Sequence, residues 1–378
     1  MVVDRPGEEL PARTRRSVLR VARIAGRVAA ALALAVMLYL LLSPTGRYLV
    51  RAAWEEGRIL AGRRPIADMV QDSTTPAIMR NKLVVVLAGR AFASDSIGLR
   101  ARQSFTTFSR LQHDTLVLVL SAAYRDRLEA FTWWFPVVGR VPYKGFFDFG
   151  AARTTARKLD HDGFDVYLRP SPAFSTLGWF NDPLVSTSLN ADSLDLANTV
   201  IHELTHNTFY ASGQAPFNES FAMFVGARGA AAFFRSRGQE AAAAKVEAEW
   251  EDDKLLARFW TRVIKSLDSA YAAHPADREA RIRARDTVYA RTRVALVNEI
   301  APQFKTINPL YAERVTLNNA ALLARRVYAS DLDLFDRIYE KEGRDLKRTI
   351  GRVIALAKSN PKAPFTALRN WVGNASNN

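Results

Sequence analysis

The stretch I-H-E-L-T-H-N-T-F-Y-A-S-G-Q-A-P-F-N-E-S, residues 201–220, decides how the rest of the chain is read. His202 and His206, two of the five histidines, stand four positions apart with Glu203 beside the first. Upstream, Asp192 or Ser193 can cap a helix, and Leu194, Ala197, Ile201 and Leu204 form one apolar stripe. The spacing predicts an amphipathic helix that stops near Tyr210, before Ser212-Gly213 and Pro216. On a helix, positions i and i+4 share a face one turn apart, so both imidazoles can ligate one small cation. Glu203 is then placed to take a proton from a water that the cation makes acidic.

Such a catalytic centre needs a third protein ligand and one open position. A longer histidine motif is excluded, because Phe209 and Ser212 stand where it needs Gly and His. Glu219 is the better candidate. The turn at residues 213–216 reverses the chain, and a second helix is expected to start near Asn218. If the two helices run antiparallel, His206 lies about 6–8 Å from its helix end, and Glu219 returns to the same height. Ala222, Gly226 and Gly229 give the second helix a small-residue face that permits close approach. Rival third ligands are Asp182 and the acidic residues 249–253; an N-terminal-turn role is the plain alternative for Glu219. His113, His161 and His274 lack metal-like spacing and read as surface residues. An oxyanion donor is also required, and Tyr210, Tyr311 and Tyr328 all remain open for it.

Composition limits the chemistry. With no cysteine among 378 residues, disulfides and thiolate ligands are excluded, so a metal must take nitrogen and oxygen donors; Zn2+ is the expected ion. The chain is 48% hydrophobic and 24% charged, ample for a large core. The formal charge of +15 is spread through amphipathic stretches such as residues 277–293. No compact basic cluster with interleaved aromatics occurs, so a nucleic-acid partner is not expected.

The amino-terminal segment carries Arg13, Arg15, Arg16, Arg20, Arg23 and Arg27, followed by V-A-A-A-L-A-L-A-V-M-L-Y-L-L-L, residues 28–42, without a charge. A helix over that run spans about 22 Å, short of a hydrocarbon core of about 30 Å, but the preceding residues can lengthen it. An uncleaved signal anchor at residues 28–43 is expected, with residues 1–27 as a basic cytoplasmic tail; a cleaved signal peptide is the competing reading. Either way the remainder faces outside the cytoplasmic membrane, in the periplasm or beyond.

Further along, residues 54–69 read as a helix broken by Gly and Pro, and residues 82–87 as either strand or helix. Residues 114–121 and 164–168 read as strands, and the aromatic, Gly- and Pro-rich residues 131–149 as an irregular packed segment. From Leu194 onward the pattern is helical. The expected class is α+β: a mixed part over 44–190, the helix pair over 191–235, and a mainly helical part over 236–378.

H-E-L-T-H at 202–206 followed by F-N-E-S-F-A at 217–222 resembles the bacterial aminopeptidase family of HExxH, NESFA type, similar in outline to gluzincins. Residues 61–66, 135–148, 173–187 and 317–328 look like further family blocks in the right order, covering most of the chain from about Arg58. The resemblance implies His202, His206 and Glu219 as zinc ligands, Glu203 as catalytic base and a peptide or protein as substrate. It also suggests that residues 175–182, with Ser175, Thr176, Gly178, Trp179 and Asp182, line the cleft, against a packed aromatic turn; Tyr328 is a further substrate-contact candidate. The chain departs from the pattern in three places. No cysteine follows the apolar run, Trp134 and Arg140 stand where members tend to have cysteines, and Thr205 replaces a common Ala. An endopeptidase, or a non-catalytic envelope module in which zinc staples two helices or the aromatic segment binds a partner, are the alternatives.

Overall fold

The computed structural model describes residues 12–111, 115, 117–135, 139–171, 183–328 and 330–374. The chain divides into two compact units, the first ending at Arg58 and the second running from Ile59 to its end.

The first unit is built on α1 (Ala12–Leu42) and most of α2 (Pro44–Ala61). Within α1, the 23 residues Arg20–Leu42 contain an 18-residue stretch with a mean hydropathy of 2.1 and none of it buried, so this helix is long and apolar enough to cross a membrane. It exceeds the uncharged run because helical pattern continues back through Arg27, Arg23 and Arg20. Only Ser43 separates the two helices; its hydroxyl accepts a hydrogen bond from the Gly46 N–H at 2.8 Å and starts α2. The chain turns sharply here. A Cβ on Gly46 would lie 2.6 Å from the Leu40 Cα, so only glycine fits against the end of α1.

The second unit opens with β1 (Arg64–Pro65), α3 (Ile66–Gln71) and α4 (Ala77–Asp95). Residues 82–87, open between strand and helix in the sequence, are helical, because Leu83, Val86, Gly89 and Ala93 recur at helical spacing and are buried. Then come β2 (Thr107–Ser109), β3 (Val117–Tyr124), β4 (Trp133–Phe135), β5 (Gly139–Val141), β6 (Tyr143–Phe146), α5 (Phe149–His161), β7 (Phe164–Ser171) and β8 (Leu184–Val185). The central sheet is β6-β3-β7, antiparallel throughout, with α5 packed on it around Leu120, Ala152 and Leu159. A smaller sheet joins β1 antiparallel to β2 and β2 parallel to β8.

The aromatic segment departs from the irregular form expected of it. Trp133–Phe135 pairs antiparallel with Gly139–Val141, and Tyr143–Phe146 joins the central sheet. Gly139 opens β5 at φ +75°, and Pro142, without an N–H, separates β5 from β6.

The rest is helical, as the class α+β requires: α6 (Ser193–Thr208), α7 (Ala215–Ser236), α8 (Glu240–Ala272), α9 (Arg278–Ala295), α10 (Leu310–Arg314), α11 (Asn319–Tyr328), α12 (Leu332–Lys341), α13 (Leu346–Ser359) and α14 (Pro364–Asn374). The main core gathers α4, α6, α7, α8 and α12–α14. Its centre is a stack in which Phe217, Phe221 and Phe224 of α7 meet Phe335 of α12, with ring centroids 6.0, 5.9 and 5.7 Å apart. Burial of side chains this size is worth about 1.5–3 kcal/mol each, which fixes the rotation of α7 about its axis. That rotation turns the opposite, small-residue face toward α6.

Candidate metal centre

The site rests on the α6–α7 pair. Asp192 caps α6, accepting hydrogen bonds from Leu194 N at 2.8 Å and Asp195 N at 3.0 Å. Burial works against the charge of Asp192, but the Asp195 N–H and the Lys245 ammonium outweigh it and hold its carboxyl below the usual range. Lys82 of α4 ties down the preceding segment by donating to Leu189 O and Ala191 O at 2.6 and 2.9 Å. At the other end, Arg100 N donates to Thr208 Oγ1 at 2.9 Å. α6 ends at Thr208, two residues before the expected stop, and α7 begins at Ala215, one turn earlier than expected. Pro216 explains the early start, since proline suits the first turn of a helix, where its missing N–H is not needed.

The turn between the helices is held by Asn218, which is 2% exposed. Its carboxamide brackets one residue of the turn, accepting from Ala211 N and donating to Ala211 O, both at 2.8 Å. Ser220, fully buried, accepts from Ser330 N at 3.0 Å, just beyond the end of α11. Glu219 between them is the only member of the N-E-S triplet aimed at the histidines. The helices approach closely because of Gly226 and Gly229. A Cβ on Gly226 would overlap the Asn198 side-chain oxygen and lie 3.3 Å from the His202 Cβ; one on Gly229 would lie 2.8 Å from Ile201 Cγ2. Glu219 faces His206 and His202 while Gly226 faces His202 and Asn198, so the two helices run antiparallel.

Three ligating atoms converge. His202 Nε2 and His206 Nε2 are 3.2 Å apart, and the Glu219 oxygens lie 3.4 Å from the first and 3.7 Å from the second. A tetrahedral ion with ligand bonds of 2.0–2.1 Å holds its donor atoms about 3.3–3.4 Å apart. The observed triangle therefore matches three corners of a tetrahedron, and the residues present fit a metal ion: His202, His206 and Glu219 form a group able to hold one. Among the described residues no further His, Asp or Glu joins that group.

The electrostatics agree with this geometry. Burial, and then the neighbouring His202, push the His206 imidazole down to about 4 against the pull of Glu219, so it is neutral with a lone pair to donate. Its Nδ1 is buried without a hydrogen-bond partner among the described residues. Burial opposes the charge of Glu219, but the hydrogen bond with His202 and the two imidazoles outweigh it and keep the carboxyl below its usual range. A neutral His206 and a charged Glu219 are the protonation states that ligation to a cation requires.

Glu203, one step along α6 from His202, is exposed. Tyr210 is 57% exposed, and its ring lies 6.2 Å from that of His206. Tyr311 packs instead against Phe304 in the second core cluster. The side chain of Tyr328 and residues 175–182, with Ser175, Thr176, Gly178, Trp179 and Asp182, lie outside the described residues, as does His113. His161 and His274 are exposed. Three of the acidic residues weighed as rival ligands are occupied elsewhere, and Asp253 does not join the group of His202, His206 and Glu219. Glu249 faces Lys245 at 3.8 Å, Glu251 pairs with Lys254 at 2.7 Å, and Asp252 accepts from the Lys305 and Thr306 N–H groups at 2.8 and 2.7 Å.

Sequence reasoning passed over Asn198 and Asn218. Asn218 carried a signal, a lone amide at the first turn of a buried helix beside a predicted turn. Asn198, one turn before His202, carried none, because its part follows from contact with Gly226.

Compared with known protein families, the chain matches one described as putative aminopeptidase over residues 47–368. It belongs to that family, and the match begins just past α1. No curated protein and no solved structure matches the chain.

Proposed function

We propose that the protein is a zinc metallopeptidase acting on peptide amino termini, anchored in the cytoplasmic membrane by α1 with its second unit outside the cytoplasm. The observation that carries this reading is the convergence of His202, His206 and Glu219 at 3.2, 3.4 and 3.7 Å. These three residues would hold the ion. When bound, it supplies Lewis acidity, making a water acidic at neutral pH and polarising the carbonyl of the scissile bond. Glu203 accepts the proton that the attacking water loses and delivers it to the departing amine. Its exposure supports that role, because the base must meet both water and substrate. Tyr210, the described tyrosine whose ring packs beside a ligand, is the candidate donor to the developing oxyanion. Action at an amino terminus, rather than within a chain, is supported by the family. Orientation is supported by the arginines that precede the apolar run.

The test combines metal analysis with turnover. Mass spectrometry should find one zinc per wild-type chain and none in Glu219→Ala. Glu203→Gln should keep the zinc and lose hydrolysis of an aminoacyl substrate. An amino-terminally blocked peptide should resist the wild-type enzyme while its unblocked counterpart is cleaved. Equal cleavage of both would indicate an endopeptidase, and zinc without turnover of either would indicate a stapling role.

A further inference from the structure

The exposed face of α2 has a composition of its own. Residues 47, 50, 51, 54, 57 and 58 fall within an arc of about 120° at 3.6 residues per turn, and all are exposed. They are Arg47, Val50, Arg51, Trp54, Gly57 and Arg58, with Trp54 64% exposed. No acidic residue lies in the arc. Glu55 is 8% exposed and folds back to Arg51 and Arg58 at 2.6 and 3.1 Å, while Glu56 projects from the other side of the helix. The side chains of Arg51 and Arg58 remain 62% and 39% exposed.

An exposed tryptophan among arginines is costly in plain water and favourable where apolar and anionic layers meet. Such a layer is at hand. α1 ends at Leu42, one residue before α2 begins, and the tight seat of Gly46 on Leu40 turns the chain sharply away from the line of α1. We propose that this face of α2 lies on the anionic headgroup layer of the membrane that α1 enters, with Arg47, Arg51 and Arg58 at lipid phosphates and Trp54 at the acyl boundary. The inference rests on α1 being a membrane span.

The absence of native cysteine makes the test direct. A spin label is placed on Val50→Cys, within the arc, and separately on Leu34→Cys, midway along the apolar run, in the full-length chain. Each is reconstituted into vesicles of phosphatidylglycerol or of phosphatidylcholine. Power saturation with oxygen and with a water-soluble nickel chelate then reports depth. The label at 34 should lie in hydrocarbon in both lipids. The label at 50 should lie at headgroup depth in phosphatidylglycerol, and its exposure to nickel should rise in phosphatidylcholine. Each arginine near an anionic surface is worth about fivefold in occupancy, so changing Arg47, Arg51 and Arg58 together to Gln should also move the label into water. A deep label at 34 with a water-exposed label at 50 in phosphatidylglycerol overturns the inference and leaves the span standing. Water exposure at both positions overturns both. A label at 50 that is shielded equally in both lipids and in detergent means that protein covers the face, and likewise overturns it.

Discussion

Replacing Gly226 by alanine tests whether close helix approach holds the metal centre together. The added methyl would overlap the Asn198 side-chain oxygen, 3.2 Å from the Asn198 backbone oxygen and 3.3 Å from the His202 Cβ. The Asn198 side chain can swing aside. The other two contacts belong to the frame of α6, and relieving them moves that helix by a few tenths of an ångström at His202. Overpacking of this kind costs about 1–3 kcal/mol. The better helix propensity of alanine returns about 1 kcal/mol. The metal-free protein should therefore lose about 1 kcal/mol, a fall of about 1–2 °C in Tm for a chain of this size. Zinc affinity should fall about tenfold, because the His202 nitrogen no longer meets the other two donors at the same point. Gly351→Ala is the control. It lies in α13 with nothing within 4 Å of its added methyl, so it should stabilise by about 1 kcal/mol and leave zinc binding unchanged. Thermal melts of the metal-free chains and competition titrations against a chromophoric chelator measure both quantities. If Gly226→Ala stabilises as Gly351→Ala does and binds zinc like the wild type, the helix-approach argument is wrong.

Other outcomes follow from the same structure. Glu219→Gln keeps the shape but loses the charge, and should weaken zinc by about 100-fold or more in the same titration; unchanged affinity would remove it from the site. Asn218→Ala strands both polar groups of Ala211 in a buried turn and should cost about 1–3 kcal/mol, read as a lower Tm than that of Gln214→Ala. Asp253→Asn has a pH signature. Burial, and then Asp252 and Glu249, raise its carboxyl from 3.8 to about 7. Between those values the unfolded chain releases a proton that the fold retains, so stability falls as pH rises. The gain in Tm from Asp253→Asn should accordingly be small at pH 4 and grow to pH 8, and a gain independent of pH would refute the assignment.

The convergence of His202, His206 and Glu219 was legible because its logic is local. Four-residue spacing fixes a shared helix face, and one turn with Gly213 and Pro216 fixes the return of Glu219. Helix ends were legible to within a turn, limited by the acceptance of Pro216 within the first turn of α7. Residues 131–149 misled because glycine and proline counts say how often a chain bends and not whether the pieces between bends pair. Tyr210 and Tyr311 could not be separated from sequence. One lies beside His206 just past the end of α6, and the other is packed on Phe304. The exposed arc of α2 was equally hidden, since exposure depends on what the opposite face packs against.

The contact of Ser330 with Ser220 gives α11 a reach beyond its own core. At the start of α11, Asn319 is fully buried: its N–H meets Asp165 of β7 at 2.8 Å, and its carboxamide donates to Tyr124 O of β3 at 2.7 Å. Some 15 Å on, the chain leaving α11 reaches the neighbour of Glu219. The helix thus acts as a strut between the strand layer and the candidate metal group. A random-mutation screen for chains that bind zinc weakly yet remain folded should then return lesions at Asp165 and Asn319, well away from any donor atom.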